Sequence, residues 1–186
     1  MVINLDYFIY FVFYSFIGFL LETLYSLIVT GTFIWKKCFL FNYLCPVYGF
    51  GAISIILSTK YIKEYKLLTM IVGGLIATLV EFTMHYIYKE IIGVSIWDYS
   101  DLNLNIDGRI CLTFTFFWFI LSGILVYWIH PVVKKNMPNI PNSIALIILL
   151  FLAIDGIISI YLYNKFGHKD AVNISWLISN FRHKIG

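Results

Sequence analysis

Long apolar runs are the feature that most constrains the fold of this chain. Residues 144–154 are apolar without interruption, and several other stretches are nearly as uniform. A helix needs about 20 apolar residues to cross a bilayer core of about 30 Å. The alternation of apolar and polar residues that is typical of membrane barrels is missing. Because hydrophobic residues make up 61% and charged residues 12% of the chain, the sequence predicts an all-α, polytopic membrane helical bundle.

We predict about five membrane-spanning helices in a single integral membrane domain that covers residues 1–186. Their expected ranges are 7–29, 44–60, 67–87, 110–129 and 144–163. The second range has two interpretations, because Pro46, Gly49 and Gly51 crowd its start and a re-entrant segment would also fit. The first range is not predicted to be a signal peptide, since no Lys or Arg precedes it and its apolar core is too long.

The distribution of Lys and Arg predicts the orientation of these spans. Eight of these residues fall on one side of the membrane, Lys36 and Lys37 among them, and five fall on the other. Cytoplasmic loops carry the excess of positive charge. We therefore expect the amino terminus outside the cell membrane and the carboxyl terminus in the cytoplasm.

The tail, residues 165–186, is too short and polar to span the bilayer. Ile174, Leu177, Ile178 and Phe181 recur at helical spacing, which predicts a short helix lying at the inner membrane interface. A frayed tail with a few apolar residues is the alternative.

Three acids fall inside the predicted spans, namely Glu22, Glu81 and Asp155. An ionised carboxylate near the membrane centre costs about 2.5 to 3.5 kcal/mol, so such residues are usually functional and face the bundle interior. Both glutamates lie in the last third of spans that run in the same direction. We expect them at similar depth, lining a polar cavity that opens to the cytoplasm. Alternatively, each glutamate makes a hydrogen-bonded contact between helices or pairs with Arg109.

A polar loop, residues 97–112, separates the third and fourth predicted spans and contains three Asp, two Asn and one Arg. Its Asp and Asn residues favour turns, and Gly108 permits a chain reversal. In a functional interpretation, Glu81 or Asp98 holds Arg109 beside an entry for a small polar ligand. In the alternative, the loop is a rigid hydrogen-bonded plug. The residues predicted to contact a substrate or line a polar cavity are Glu22, Glu81, His85, Asp98, Tyr99, Asn105 and Arg109.

The sequence predicts no catalytic residue, no metal site and no cofactor. Glu81 and His85 share a helical face but are too few ligands for a metal, so we expect a neutral histidine hydrogen-bonded to a neighbouring helix. The three cysteines form no C-x-x-C pair and are expected to act as small apolar fillers. Phosphate-loop, nucleophile-elbow and zinc-helix motifs are missing. A net charge of +3 that is scattered over several loops predicts no nucleic-acid binding.

Three stretches resemble the CmpB family of bacterial membrane proteins, a type IV ABC-transporter family. They are the block W-D-Y-S at 97–100 with Asn105 and G-R-I-C-L at 108–112, the turn C-P-V-Y-G-F-G at 45–51, and the acids Glu22, Glu81 and Glu90. The chain departs from the family pattern at Lys37-Cys38, where Arg-Gly is expected, and at Asn42-Tyr43, where Gly-Pro is expected. The resemblance implies a permease that works in the lipid bilayer with a separate ATPase subunit.

Three functional classes fit the sequence, and the resemblance favours the first. It is a transporter component for a small solute, with the acids and Arg109 lining its path. The second is an intramembrane enzyme acting on a lipid or isoprenoid substrate, and the third is a non-catalytic accessory protein. A non-enzymatic role is preferred, and association into an oligomer is left open.

Overall fold

We describe the fold from a computed structural model covering residues 6–33 and 38–185, the last five by their backbone alone. Lys36 and Lys37 therefore lie outside the described residues, as does the side chain of Phe181. Four helices are long and apolar enough to cross a membrane: Asp6–Thr30, Lys66–Ile92, Leu112–Asn136 and Asn142–Phe166. This architecture confirms the prediction of an all-α, polytopic membrane bundle.

The helices are numbered in chain order. They are α1 (Asp6–Thr30), α2 (Pro46–Thr59), α3 (Lys66–Tyr86), α4 (Leu112–Ile124), α5 (His130–Asn136), α6 (Asn142–Phe166) and α7 (Ile174–Ile185). A π turn, Ile87–Ile92, extends α3, and a second, Leu125–Ile129, joins α4 to α5 into one continuous rod. A two-stranded antiparallel hairpin, β1 (Asn105–Ile106) and β2 (Ile110–Cys111), precedes α4.

The third and fourth spans extend beyond their predicted ends at residues 87 and 129. In the fourth, the helix passes Pro131, whose missing N–H would usually interrupt it. The π turn accommodates this proline, because the N–H of His130 bonds to the carbonyl oxygen of Leu125, five residues earlier. Pro131 then sits in the first turn of α5, where a proline is tolerated.

Small residues allow α1 to α4 to pack closely in alternating directions. A Cβ atom on Gly18 would overlap the ring of Tyr48, and one on Gly49 would overlap Ser15. Likewise, a side chain on Gly74 would collide with the ring of Phe119. These positions let backbones approach one another, which is the usual basis of helix association in membranes.

The second predicted span is a 14-residue helix that begins beside the middle of α1. The backbone N–H of Cys45 donates to the carbonyl oxygen of Ser15 over 2.9 Å. The preceding stretch, residues 38–45, is extended and turning chain that we call the returning segment. Cys38, Leu40 and Leu44 are buried in it. Irregular backbone is tolerated at membrane depth only where protein covers it, so this segment depends on its neighbours.

The tail is folded. A 3-10 turn, Lys169–Val172, leads into α7, and Trp176 stacks on His168 with ring centroids 5.2 Å apart. Ala171 and Val172 are buried against Tyr163 and Tyr88. These contacts favour the helical interpretation of the tail over fraying, and its place at the membrane interface remains a prediction.

Candidate functional site

Glu81 lies in the centre of the bundle with 3% of its surface exposed. Its Oε1 accepts a hydrogen bond of 2.9 Å from the hydroxyl of Tyr99. Its Oε2 accepts one of 2.8 Å from the indole Nε1–H of Trp118. The carboxylate therefore connects α3 to the polar loop and to α4, and neutral donors satisfy both of its oxygens.

Glu22 joins the same group of side chains from α1. Its Oε1 accepts a hydrogen bond of 2.7 Å from the hydroxyl of Tyr48 on α2. The ring of Tyr48 in turn packs edge-on against Trp118 at a centroid distance of 5.5 Å. We call Glu22, Tyr48, Glu81, Tyr99 and Trp118 the carboxylate network. It links α1, α2, α3, the polar loop and α4.

Tyr99, in the polar loop, has a hydroxyl whose pKa is affected by the two glutamates of the network. Burial raises the pKa of its hydroxyl, and the Glu81 charge, the hydrogen bond to Glu81 and the Glu22 charge raise the pKa further. Tyr99 therefore remains protonated and acts as a donor at physiological pH. Its ring stacks on Phe114 of α4 at 4.7 Å, which fixes the direction of the hydroxyl.

Sequence reasoning missed Tyr48 and Trp118, although each binds a glutamate. Tyr48 follows Pro46 at the start of α2 and stands next to Gly49, so the only hint was a polar aromatic in a glycine-rich turn. Trp118 sits in an apolar helix, where a tryptophan is unremarkable except that its N–H needs an acceptor when buried. Both residues were hidden by the apolar character of their surroundings.

The polar loop is a compact hairpin that its own side chains hold together. Asp107 and Gly108 both have positive φ, 53° and 67°, and the N–H of Arg109 bonds to the carbonyl oxygen of Ile106, so the two residues form the centre of a tight turn. The Asn105 amide donates to the carbonyl oxygens of Ser100 and Leu102, and its oxygen accepts from the N–H of Gly108. Asn105 therefore shapes the hairpin from within. The turn was predicted, but its two short strands were not.

Asp98 lies on the exposed side of this hairpin. Its Oδ1 accepts from the hydroxyl and the backbone N–H of Ser100, at 2.6 and 2.9 Å. These donors hold the pKa of Asp98 below its usual range. This is the turn-capping role expected from the sequence, and the hydrogen bonds of Asp98 do not reach the carboxylate network.

Arg109 pairs with Glu90, which corrects the expectation that Glu81 or Asp98 would hold it. Its Nη2 lies 2.9 Å from Glu90 Oε1, and its guanidinium covers the rings of Phe82 and Tyr86 at 5.4 and 5.2 Å. The three partners follow one another at intervals of four residues and so share one face of the third span. Glu81 points elsewhere, toward α4.

His85 is buried and bonds to the polar loop, whereas a neighbouring helix had been expected. Its Nε2 lies 3.1 Å from the carbonyl oxygen of Trp97 and 3.4 Å from the hydroxyl of Ser95. A carbonyl can only accept, so Nε2 must carry a proton. The Trp97 ring also packs edge-on against the imidazole at 5.3 Å, and His85 thereby anchors the loop to α3.

Asp155, the third acid, holds the returning segment against α6. Its carboxylate accepts from the backbone N–H groups of Phe41 and Asn42, the latter at 2.9 Å, and from the Asn42 amide at 2.7 Å. Ser159, one helical turn further, accepts from the N–H of Leu40. We call Asp155 and Ser159 with their bonded partners the Asp155 latch. It satisfies backbone groups that have no helical partner.

An apolar cavity of about 320 Å³ lies between α6 and the first three helices. None of the seven predicted site residues lines it. This apolar cavity is therefore not the predicted polar cavity. Glu22 and Glu81 lie elsewhere in the bundle, where they accept hydrogen bonds from aromatic side chains.

All three cysteines are free thiols, and two of them lie in contact. Cys38 and Cys45 meet inside the returning segment with their sulfur atoms 3.7 Å apart, beyond the length of a disulfide bond. Cys111 lies apart on β2. Among the residues that the structure describes, no three His, Cys, Asp or Glu side chains cluster as metal ligands would.

The fold and the carboxylate network define a polytopic α-helical membrane protein with a conspicuous buried acid group. A family model described as "Putative ABC-transporter type IV" matches residues 9–161. The chain belongs to this family, which confirms the resemblance noted in its motifs. No match was found among curated proteins or among solved structures.

Proposed function

We propose that this chain is the membrane permease component of an ABC-type transporter for a small solute. In this proposal Glu22 and Glu81 line a polar path that opens to the cytoplasm, and Arg109 lies beside its cytoplasmic end in the ion pair with Glu90. His85, Asp98, Tyr99 and Asn105 shape the entrance of that path. Family membership over residues 9–161 supports the general assignment.

The observation that carries the proposal is the position of Glu81. A carboxylate that is 3% exposed in a membrane-spanning helix is expensive, and such residues usually lie on solute or ion pathways. Its partners are the side chains of Tyr99 and Trp118, and the proposal requires that a solute take over these hydrogen bonds. A passing solute with hydrogen-bond donors or positive charge can replace them in turn.

The proposal requires a partner, because the sequence holds no phosphate-binding loop of its own. Purification of the tagged full-length chain from its native membrane tests this point. We expect an ATP-hydrolysing subunit to co-purify with the chain in stoichiometric amount. The same subunit should not co-purify with an unrelated tagged membrane protein, which serves as the control. Recovery of the chain without any ATP-binding subunit would contradict the proposal.

The proposed orientation, with the amino terminus outside and the carboxyl terminus in the cytoplasm, is tested separately. A cysteine-reactive reagent that cannot cross membranes is applied to intact cells. A cysteine introduced at Gly167, just after α6, should be protected, whereas one at Tyr61, in the exposed turn after α2, should react. The reverse pattern would overturn the orientation.

A non-catalytic accessory role is the second candidate, and one observation favours it. Both oxygens of Glu81 are already satisfied by protein donors, as in a purely structural contact. Substitution of Glu81 by Gln in the assembled complex separates the two candidates. If Glu81 lines the path, ATP hydrolysis coupled to transport should fall while assembly persists. Glu64→Gln, at an exposed position in the turn before α3, is the matched control and should leave hydrolysis unchanged. Unchanged hydrolysis would favour the accessory role.

A further inference from the structure

We propose that the cavity beside α6 binds one acyl chain of a membrane phospholipid. This site is separate from the carboxylate network and does not depend on the permease proposal. We call it the α6 cavity, and its argument begins with the way in which α6 is attached to the rest of the bundle.

The returning segment separates α6 from α1 and α2. The Asp155 latch binds the segment to α6 through Leu40, Phe41 and Asn42, and the Tyr163 hydroxyl donates to the carbonyl oxygen of Cys38. The most extensive backbone contacts of α6 are with the 3-10 turn and with the π turn after α3. A gap therefore remains where α6 passes the first two helices.

The gap is long, narrow and apolar. Along α6 its lining runs from Leu149 to Tyr163, about 21 Å at 1.5 Å per residue. Phe11 and Phe50 form the facing wall. The hydroxyls of Ser159 and Tyr163 are already hydrogen-bonded to the returning segment, and the lining of the cavity is almost wholly apolar.

The residues at the opening of the cavity are apolar and exposed, which indicates the kind of molecule that can enter it. Phe50, Leu149 and Ile160 line the cavity and are 49%, 41% and 44% exposed. Phe50 belongs to α2, and Leu149 and Ile160 belong to α6, which is long and apolar enough to span a membrane. Their exposed surfaces therefore face hydrocarbon and not water. An apolar cavity of this kind stays dry and admits apolar molecules. The acyl phase of the bilayer is the supply in direct contact with it.

The volume excludes a protein occupant. About 320 Å³ lies at the lower end of the range for ligand sites, whereas a packed helix is about 10–12 Å in diameter with its side chains. A helix from a second copy of this chain does not fit between α6 and α1. A single flexible hydrocarbon chain does.

Photolabelling tests this proposal with the full-length chain in phosphatidylcholine vesicles. A small fraction of the lipid carries a diazirine on one acyl chain, and labelled residues are identified by mass spectrometry after irradiation. We expect labels on Phe11 and Phe39, which are half-buried behind α6, as well as on exposed positions such as Ile157. Labels confined to exposed positions would overturn the proposal.

A substitution that fills the cavity provides the second arm. A Cβ atom on Gly156 would meet only Phe39, at an ordinary contact distance of 3.7 Å, so Gly156→Leu should be accommodated in the gap. We expect it to reduce labelling of Phe11 and Phe39 severalfold. Ile157→Phe, on the outward face of α6 with 69% exposure, is the matched control and should leave that labelling unchanged. Equal labelling in both variants would contradict a bound chain.

Discussion

Glu81 and Asp155 are two buried carboxylates that the same chain satisfies in different ways. Their exposures are similar, 3% and 1%. Glu81 accepts hydrogen bonds from the side chains of Tyr99 and Trp118. Asp155 accepts from backbone N–H groups of Phe41 and Asn42, in addition to the Asn42 amide.

The difference lies in the kind of donor that is left if the acid is removed. A side-chain donor can be removed by a single substitution, whereas a backbone N–H group of the returning segment persists whichever side chain is changed. A buried donor left without an acceptor costs about 1–3 kcal/mol. Asp155 thus holds the backbone of the returning segment, and Glu81 holds side chains of the polar loop and α4.

Removal of Asp155 should give the largest effect on stability. Asp155→Leu leaves four donors without this acceptor, namely two backbone N–H groups, the Asn42 amide and the Ser159 hydroxyl. We therefore expect a loss of at least about 3 kcal/mol in the free energy of unfolding. Unfolding of the protein in detergent micelles measures this loss. Ile154→Leu, on an exposed position of the same helix, is the control and should change stability little. A loss below about 1 kcal/mol for Asp155→Leu would remove the distinction between the two acids.

Removal of Glu81 should be less damaging and partly reversible by a second substitution. We expect Glu81→Leu to lower the free energy of unfolding by about 1–3 kcal/mol, because Tyr99 and Trp118 lose their acceptor. Adding Trp118→Phe removes one of the orphaned donors and should recover part of that loss in a double-mutant cycle. Strictly additive losses would show that Trp118 and Glu81 are not coupled. For Asp155 the backbone N–H groups of Phe41 and Asn42 cannot be removed in this way.

The alkaline stability of the protein should depend on Tyr99. In the folded state its pKa is raised above the usual 10.0, so the full stability is present below that pH. As the pH rises further, the unfolded chain loses the proton and the folded chain keeps it. Stability then falls by up to about 1.4 kcal/mol per pH unit from this one group.

Unfolding of wild type and Tyr99→Phe between pH 9 and 11 measures this contribution. The variant cannot ionise at this position, so its stability should fall less steeply than that of wild type. Tyr61→Phe, at a position that is 84% exposed, serves as the control and should follow wild type. Parallel slopes for wild type and Tyr99→Phe would mean that Tyr99 is not shielded by the network.

The ion pair of Arg109 should give the smallest effect. The Glu90 side chain is 44% exposed, and ion pairs of this kind contribute at most about 1 kcal/mol. We expect Glu90→Gln to reduce the free energy of unfolding by less than that amount, while Arg109→Ala should cost more because stacking on Phe82 and Tyr86 is also lost. Denaturation of the two variants side by side gives the comparison. Equal losses would assign the role of Arg109 to its charge alone.

The helices were predictable because apolar length leaves little choice of structure in a bilayer. The turn at Asp107 and Gly108 was also predictable, since few other residues tolerate positive φ. The hydrogen-bond and ion-pair partners of the polar side chains were not predictable, because they depend on which helix faces meet in three dimensions. From the sequence, Glu81, Glu90 and Asp98 are all possible partners of Arg109. The direction in which the hairpin presents Arg109 brings it to Glu90. Asp155 was equally opaque, since its partners lie more than a hundred residues away.

That separation has a consequence for biosynthesis. The ribosome releases the returning segment long before it makes α6, so the N–H groups of Phe41 and Asn42 lack their final acceptor throughout synthesis of the intervening chain. During that interval the start of α2 cannot rest at its mature depth without another source of hydrogen bonds. The returning segment therefore reaches its final hydrogen-bonded arrangement only once α6 is in place.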